Sequence, residues 1–135
     1  MRPLVRAVLA VALGLTLASC RAGTAPTEPL DVRVTVQVGE TVAVAGGSFN
    51  LRFNAVPQDS RCPGDAMCIA PGYAVVDLTL GIGRREIAVQ LTTEPSRARA
   101  VVDGMAVELV QLDPYPFLGS PHQPGDYRLT IRLLR

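Results

Sequence analysis

Alternation between apolar and polar residues constrains the fold of this chain more than any other feature. Every second residue is apolar in four stretches, which cover residues 32–38, 49–55, 74–80 and 127–133. A period of two places alternate side chains on opposite faces of an extended strand, so each stretch predicts a strand with one face in a core. The chain after residue 30 shows no sustained helical period. This part is therefore predicted to be all-β.

Turn signals separate the predicted strands at short intervals. Glycine-containing turns at 39–40, 46–47 and 81–83 interrupt the alternation, and Asp103-Gly104 is a typical two-residue hairpin turn. Seven to eight short strands with such spacing predict an antiparallel β-sandwich. The segment 124–127, which ends in Tyr127, is similar to the entry of a closing strand in immunoglobulin-like domains, where a tyrosine hydroxyl holds a corner. The sandwich is therefore expected to be immunoglobulin-like.

The first 20 residues have the composition of an export signal. Arg2 and Arg6 precede an apolar run, and Leu17-Ala18-Ser19 leads directly into Cys20. This resembles the lipobox of bacterial lipoproteins, which implies cleavage before Cys20 and attachment of diacylglycerol and acyl chains such as palmitate to that cysteine. An uncleaved transmembrane anchor is the alternative, but the apolar run has 11 residues, whereas about 20 are needed to span a bilayer.

The domain organisation follows from that signal. Residues 1–19 are predicted to be a cleaved signal helix, 20–30 a lipidated cysteine with a flexible tether, and 31–135 a single β-sandwich domain. Cleavage removes 19 of 135 residues and two of thirteen arginines, which leaves eleven basic against twelve acidic residues, a net charge of −1. The arginines are dispersed, so nucleic-acid binding is not expected.

The expected location is the bacterial cell envelope, with membrane contact through the lipid. Arg21 follows the lipidated cysteine, where an aspartate is associated with retention in the inner membrane of enteric bacteria. In a Gram-negative source the periplasmic face of the outer membrane is therefore favoured. The oligomeric state is left open.

The remaining cysteines, Cys62 and Cys68, are predicted to form a disulfide, since the envelope is oxidising. Two free thiols are one alternative. A metal site is another, and it would need Asp59, Asp65 or solvent as further ligands. No metal or other cofactor is predicted.

The sequence offers little support for catalysis. His122 is the single histidine and lies near Ser120, but we interpret it as an exposed loop residue, and no catalytic residue is predicted. Two surface segments are stronger candidates, namely the long loop 58–73 and the proline-rich segment 114–118. The candidate interaction residues are Asp59, Arg61, Asp65, Met67, Tyr115 and Phe117. Both segments could instead be structural.

The segment Asp59-Ser60-Arg61-Cys62-Pro63, followed by Cys68-Ile69, resembles a group of small uncharacterised bacterial lipoproteins. Pro114-Tyr115-Pro116 and Asp126-Tyr127-Arg128 extend the resemblance, which begins near Val32. Such proteins commonly have a tryptophan soon after the second cysteine, whereas this chain continues with 70–72, Ala-Pro-Gly. The resemblance implies an envelope lipoprotein and supplies no activity.

Three functional hypotheses follow. The first is a non-catalytic structural or protein-interaction module, in which substitution of Arg61 or Asp65 weakens partner capture without lowering the melting temperature. The second is an envelope protease inhibitor that presents Arg61 or Met67 from the loop between the cysteines. The third, with least support, is an envelope hydrolase that depends on His122.

Overall fold

Two four-stranded antiparallel sheets form the part of the chain, residues 29–135, that the computed structural model describes. The eight strands in chain order are β1 (Asp31–Gln37), β2 (Thr41–Val44), β3 (Phe49–Asp59), β4 (Ala74–Ile82), β5 (Arg85–Thr92), β6 (Arg99–Val102), β7 (Met105–Asp113) and β8 (Arg128–Leu134). The helices among these residues are three single 3₁₀ turns: Ala45–Gly47, Pro95–Arg97 and Pro124–Asp126. The predicted signal peptide, Cys20 and most of the tether lie outside the described residues.

The predicted all-β sandwich is confirmed. The first sheet has the order β1-β8-β7-β6 and the second has the order β2-β3-β4-β5. The hairpins β2–β3, β4–β5 and β6–β7 therefore each lie within one sheet, whereas the short connection from β1 to β2 passes between the sheets. Immunoglobulin domains instead distribute successive strands between their two sheets in Greek-key order, so the immunoglobulin-like detail is not confirmed. Alternation and turn signals specify strands and hairpins, but they do not specify which sheet a longer connection enters.

The core lies between the sheets and is built from the alternating apolar residues. Leu51 and Phe53 of β3 and Leu78 and Leu80 of β4 are almost inaccessible to solvent. The facing sheet contributes residues of β7 and β8 that are equally buried: Met105, Val107, Leu129, Ile131 and Leu133. Full burial of each large aliphatic side chain contributes about 1.5–3 kcal/mol, which makes this core the main stabilising term.

The hairpin between β6 and β7 has the predicted chemistry. Asp103 and Gly104 connect β6 to β7 with positive φ angles of 52° and 76°. Both central residues of a type I′ turn need such angles, and Asp-Gly adopts them at low cost. Within residues 29–135 no helix has the length and hydrophobicity needed to span a membrane.

Candidate functional site

The side chain of Arg61 is buried at one end of the sandwich, with only 8% of its surface exposed. Its Nε and Nη2 atoms donate to the two carboxylate oxygens of Asp59, at 2.9 and 2.6 Å. Nη1 donates to the carbonyl of Leu112 at 2.8 Å, and Nη2 also donates to the carbonyl of Pro114 at 2.9 Å. A planar guanidinium can serve a carboxylate and two carbonyls at once. Arg61 thus joins the end of β3 to the chain that leaves β7.

Asp59 also accepts a hydrogen bond from Tyr127, the residue that precedes β8. The hydroxyl of Tyr127 donates to Asp59 Oδ2 at 3.0 Å, and His122 Nε2 lies 2.7 Å from the same hydroxyl oxygen. A phenol carries one proton, and here it is directed to the carboxylate, so His122 Nε2 is the donor in its contact with Tyr127. The result is a continuous chain from His122 through Tyr127 to Asp59 and Arg61, which we call the Arg61 network.

Charge and burial shift two pKa values in this network. Burial alone would raise the pKa of Asp59, but the hydrogen bonds and positive charge of Arg61 outweigh it, and the pKa lies below its ordinary value. Burial, followed by the hydrogen bond to the Asp59 carboxylate, raises the pKa of Tyr127 to about 12. At neutral pH the network therefore contains a carboxylate, a guanidinium and a neutral phenol.

The loop after β3 is closed by the predicted disulfide. Cys62 and Cys68 are bonded, with their Cα atoms 6.0 Å apart. The base of the loop continues the pairing of β3 with β4, since the amides of Ser60 and Cys62 donate to the carbonyls of Tyr73 and Pro71, at 2.9 and 2.8 Å. The loop is therefore restrained by the disulfide within it and by the backbone hydrogen bonds at its base.

Glycine is required at position 72 of this loop. Gly72 has a φ of +63°, and a Cβ added there would overlap the carbonyl oxygen of Ser60. Gly72 therefore provides both the left-handed backbone conformation and the space that the approach to Ser60 needs.

The proline-rich segment after β7 lies directly against the disulfide loop. The amide of Gly64 donates to the carbonyl of Pro116 at 2.9 Å, and the amide of Leu118 donates to Asp65 Oδ1 at 2.8 Å. A Cβ on Gly64 would lie 2.8 Å from the ring of Phe117, so that ring covers the glycine. Two segments more than 50 residues apart in sequence thus form one surface.

That surface carries five of the large apolar side chains that the described fold leaves exposed. They are Met67, Ile69, Tyr115, Phe117 and Leu118, which we call the apolar tip. Met67 and Ile69 are fully exposed, whereas Tyr115 and Phe117 are about half exposed. The rings of Tyr115 and Phe117 pack edge to face with centroids 6.3 Å apart, and the guanidinium of Arg61 lies 5.1 Å from the Tyr115 centroid. The Arg61 network thereby packs against the apolar tip from the protein interior, through the contact between Arg61 and Tyr115.

The structure places the candidate interaction residues at the same end of the sandwich, but some of them are exposed and others are buried. Asp65, Met67, Tyr115 and Phe117 lie at the surface, as an interaction role requires. Arg61 is buried and Asp59 nearly so, which leaves Arg61 no side-chain surface to offer a partner or a protease. The sequence alone predicts that an Arg61 substitution spares the melting temperature. Four side-chain hydrogen bonds depend on that guanidinium, so the structure leads us to expect a lower melting temperature instead.

Three contributors to this site were not identified from the sequence. Ile69 and Leu118 belong to the apolar tip, and His122 belongs to the Arg61 network. The sequence contains a signal for Ile69 and Leu118, since each is an apolar residue close to a candidate interaction residue, Met67 or Phe117. The sequence predicts that His122 is an exposed loop residue, yet its side chain is only 19% exposed and packs against Tyr127. No local pattern indicates that contact.

The chemistry of the network is suited to holding structure. A nucleophilic hydroxyl needs a neighbouring base strong enough to take its proton. The Tyr127 hydroxyl donates to Asp59, whose pKa lies below its ordinary value and which is therefore a weak base, while the pKa of Tyr127 is raised to about 12. Among residues 29–135 no three His, Cys, Asp or Glu side chains are grouped as metal ligands would be.

Fold and site together define an all-β sandwich whose one end is fixed by a buried arginine and a disulfide and bears exposed apolar side chains. No family model, curated protein or solved structure matches the chain.

Proposed function

We propose that the protein is a lipid-anchored component of the bacterial envelope, in which a non-catalytic sandwich domain presents the apolar tip to a protein partner. The observation that carries this proposal is the apolar tip itself: five exposed apolar side chains on two segments that hydrogen bonds hold together. Aromatic residues and methionine are enriched at the centres of protein interfaces.

The rigid support beneath the tip strengthens the proposal. Binding is weakened when loops and side chains must be ordered, and a preorganised surface avoids much of this cost. The disulfide orders the segment that holds Met67, and Arg61 orders the segment that holds Tyr115. Apolar side chains that are held rigidly at the surface contribute little to the fold, so their exposure beside the disulfide and the Arg61 network supports a binding role.

The direction of the tip fits an anchor at residue 20. Asp31 begins β1 and pairs with Leu134, whereas Gln37 pairs with Arg128, next to Tyr127 of the Arg61 network. The N-terminal end of β1 and the tip are thus separated by the length of β8, which is about 20 Å for seven residues. If Cys20 carries the lipid, the tip lies at the end of the domain opposite the tether, where it can reach other envelope proteins.

Crosslinking in intact cells tests the partner. A photo-reactive phenylalanine analogue at Met67 or Ile69 is expected to give a defined crosslinked product. The same analogue at Val101, another apolar side chain that is 68% exposed but lies in β6, serves as the matched control and is expected to give none. Identical products from Val101 and Met67, or no product from either tip position, would refute the proposed role of the tip.

Mass spectrometry tests the anchor separately. The envelope fraction is expected to contain a chain that begins at an acylated Cys20, and Cys20→Ser should abolish both acylation and cleavage. Full-length, unacylated protein in the cytosol would refute the anchor and would leave the crosslinking result to be judged by itself.

Protease inhibition is a second candidate, and the exposure of Met67 within a disulfide-closed loop favours it. Arg61 can no longer contribute, since it is buried, so the relevant protease would prefer an apolar residue. Incubation with equimolar chymotrypsin-like protease is expected to slow hydrolysis of a reporter substrate, and Met67→Asp should remove the effect. Unchanged hydrolysis would eliminate this candidate.

A further inference from the structure

A polar groove of about 570 Å³ crosses the outer face of the second sheet. Leu51 and Phe53 of β3 face the core, so the alternate residues Asn50, Arg52 and Asn54 face outward and line the groove. It lies toward the hairpin between β4 and β5, at the end of the sheet opposite Asp59. The groove is thus separate from the apolar tip.

The floor of the groove is formed by short side chains of β4. Asn50 is paired with Gly81, and Arg52 is paired with Thr79, so polar side chains of β3 stand beside a glycine and a threonine. Opposite residues in an antiparallel pair share one face of the sheet. The missing side chain at Gly81 therefore leaves space between the polar groups of neighbouring strands.

The polar groups of the groove are only partly used by the protein. Asn54 Nδ2 donates to Thr79 Oγ1 at 2.9 Å, which fixes the amide and leaves its oxygen and second N–H available. Asn50 contributes a further amide. These groups match the hydroxyls of a sugar, which both donate and accept hydrogen bonds.

Positive charge lines the same groove. Arg85 forms an ion pair with Asp103 at 2.7 Å, whereas Arg52 and Arg84 form no ion pair within residues 29–135. Glu86 is the single acidic residue among the groove's lining residues. Guanidinium groups bind phosphate and carboxylate with paired hydrogen bonds, so the charge of the groove complements an oxyanion.

We propose that this groove binds a sugar that carries a phosphate or carboxylate group. Arg52 and Arg84 hold the oxyanion, while Asn50, Asn54 and Thr79 hold the hydroxyls. The volume lies within the range of small-molecule sites. No aromatic side chain lines the groove, so recognition rests on hydrogen bonds and charge.

Nuclear magnetic resonance titration of the full-length, isotope-labelled protein in detergent tests the site. The probes are glucose 6-phosphate and glucuronate, with glucose as the neutral control, and they distinguish phosphate from carboxylate as the oxyanion. At least one charged sugar should saturably shift the side-chain amide signals of Asn50 and Asn54. Arg52→Gln or Arg84→Gln should weaken binding about tenfold, as expected for loss of a charge-assisted hydrogen bond.

Two further variants distinguish binding in the groove from nonspecific binding of the anion to surface arginines. Arg33→Gln removes an exposed strand arginine from the other sheet and should leave the affinity unchanged. Gly81→Gln should abolish binding without unfolding, because a Cβ there meets Asn50 only at ordinary contact distance, 3.4 Å. An unchanged thermal midpoint shows that the variant is folded.

Several outcomes would overturn the proposal. Equal binding of glucose and glucose 6-phosphate would remove the role of the arginines, and equal binding of inorganic phosphate would remove the role of the sugar. A hexaglutamate peptide that binds while both charged sugars fail would instead identify an acidic protein as the ligand. The absence of shifts with every probe would leave the groove without a function in binding oxyanions.

Discussion

The hydroxyl of Tyr127 donates to the carboxylate of Asp59, 68 residues earlier in the chain, at 3.0 Å. Tyr127 precedes β8 and Asp59 ends β3, so this hydrogen bond connects the two sheets at the end that bears the apolar tip. The same carboxylate receives three hydrogen bonds from Arg61, one from its backbone amide and two from its guanidinium. The Arg61 network thus connects three parts of the chain, residues 59–61, 112–114 and 122–127.

Replacing Arg61 should destabilise the domain strongly. Arg61→Met leaves the Asp59 carboxylate without its guanidinium partner and removes the side-chain donor to the carbonyls of Leu112 and Pro114. Removal of one partner of a buried ion pair costs about 3–5 kcal/mol. Arg132→Met is the matched control, because Arg132 forms a similar two-hydrogen-bond pair with Asp31 at the surface. Exposed pairs contribute about 1 kcal/mol or less. Urea denaturation compares the two.

A double-mutant cycle completes that measurement. Asp59→Asn combined with Arg61→Met should cost less than the sum of the single substitutions, because the neutral amide no longer leaves a buried charge. If Arg61→Met fails to fold, Arg61→Lys provides the test, since it keeps the charge and loses the planar fork. Equal costs for the Arg61 and Arg132 substitutions would show that the buried network does not support the fold.

Alkaline pH should destabilise the protein through Tyr127. Its pKa is about 12 in the folded chain and about 10 in an unfolded chain. A raised folded pKa gives stability that is fully present below pH 10 and is lost as the pH rises from about 10 to 12. The two-unit difference corresponds to about 2–3 kcal/mol over that window.

Tyr127→Phe isolates this contribution. The variant should be less stable than the native protein at pH 7, since Asp59 loses a donor, and its stability should fall less steeply between pH 10 and 12. Denaturant midpoints measured at intervals of half a pH unit give both curves. Parallel curves above pH 10 would mean that the pKa of Tyr127 is the same in the folded and the unfolded chain.

The strands and hairpins could be predicted from the sequence because their signals are local. Alternation in β3 and β8 requires only neighbouring residues, and Asp103-Gly104 contains its own turn preference. The disulfide was predictable for the same reason, since six positions separate its cysteines. In each case the physical cause lies within a short segment.

Burial of Arg61 could not be predicted because its causes are distant. An arginine with an exposed loop around it is normally solvated. The two carbonyls that accept from Arg61 lie 51 and 53 positions later in the chain, and they are brought near only when the sheet that contains β7 packs against the sheet that contains β3. The order of the strands within each sheet could not be predicted for a similar reason, since no local signal specifies that β1 pairs with β8.

Alanine at position 72 should distort the base of the disulfide loop. Gly72 and Gly83 have nearly the same φ, +63° and +61°, but a Cβ at Gly83 meets no atom within 4 Å. Gly83→Ala should therefore cost about 1 kcal/mol for the left-handed conformation alone. Gly72→Ala adds the overlap with the Ser60 carbonyl and should cost at least about 2 kcal/mol more. Equal costs in thermal or urea unfolding would show that the loop can move away from Ser60 freely.

Removal of the disulfide should lower stability moderately and affect the apolar tip more than the core. The chain-entropy model gives about 2 kcal/mol for a loop as short as that between Cys62 and Cys68. In Cys62→Ala/Cys68→Ala, amide hydrogen exchange should accelerate at Gly64 and Leu118, whose hydrogen bonds connect the loop to the proline-rich segment. Exchange in β3 and β8 should change only by the global loss of stability. Uniform acceleration throughout the domain would mean that the disulfide stabilises the whole fold and does not specifically order the tip. In that case rigidity at Met67 would have to come from the Arg61 network alone.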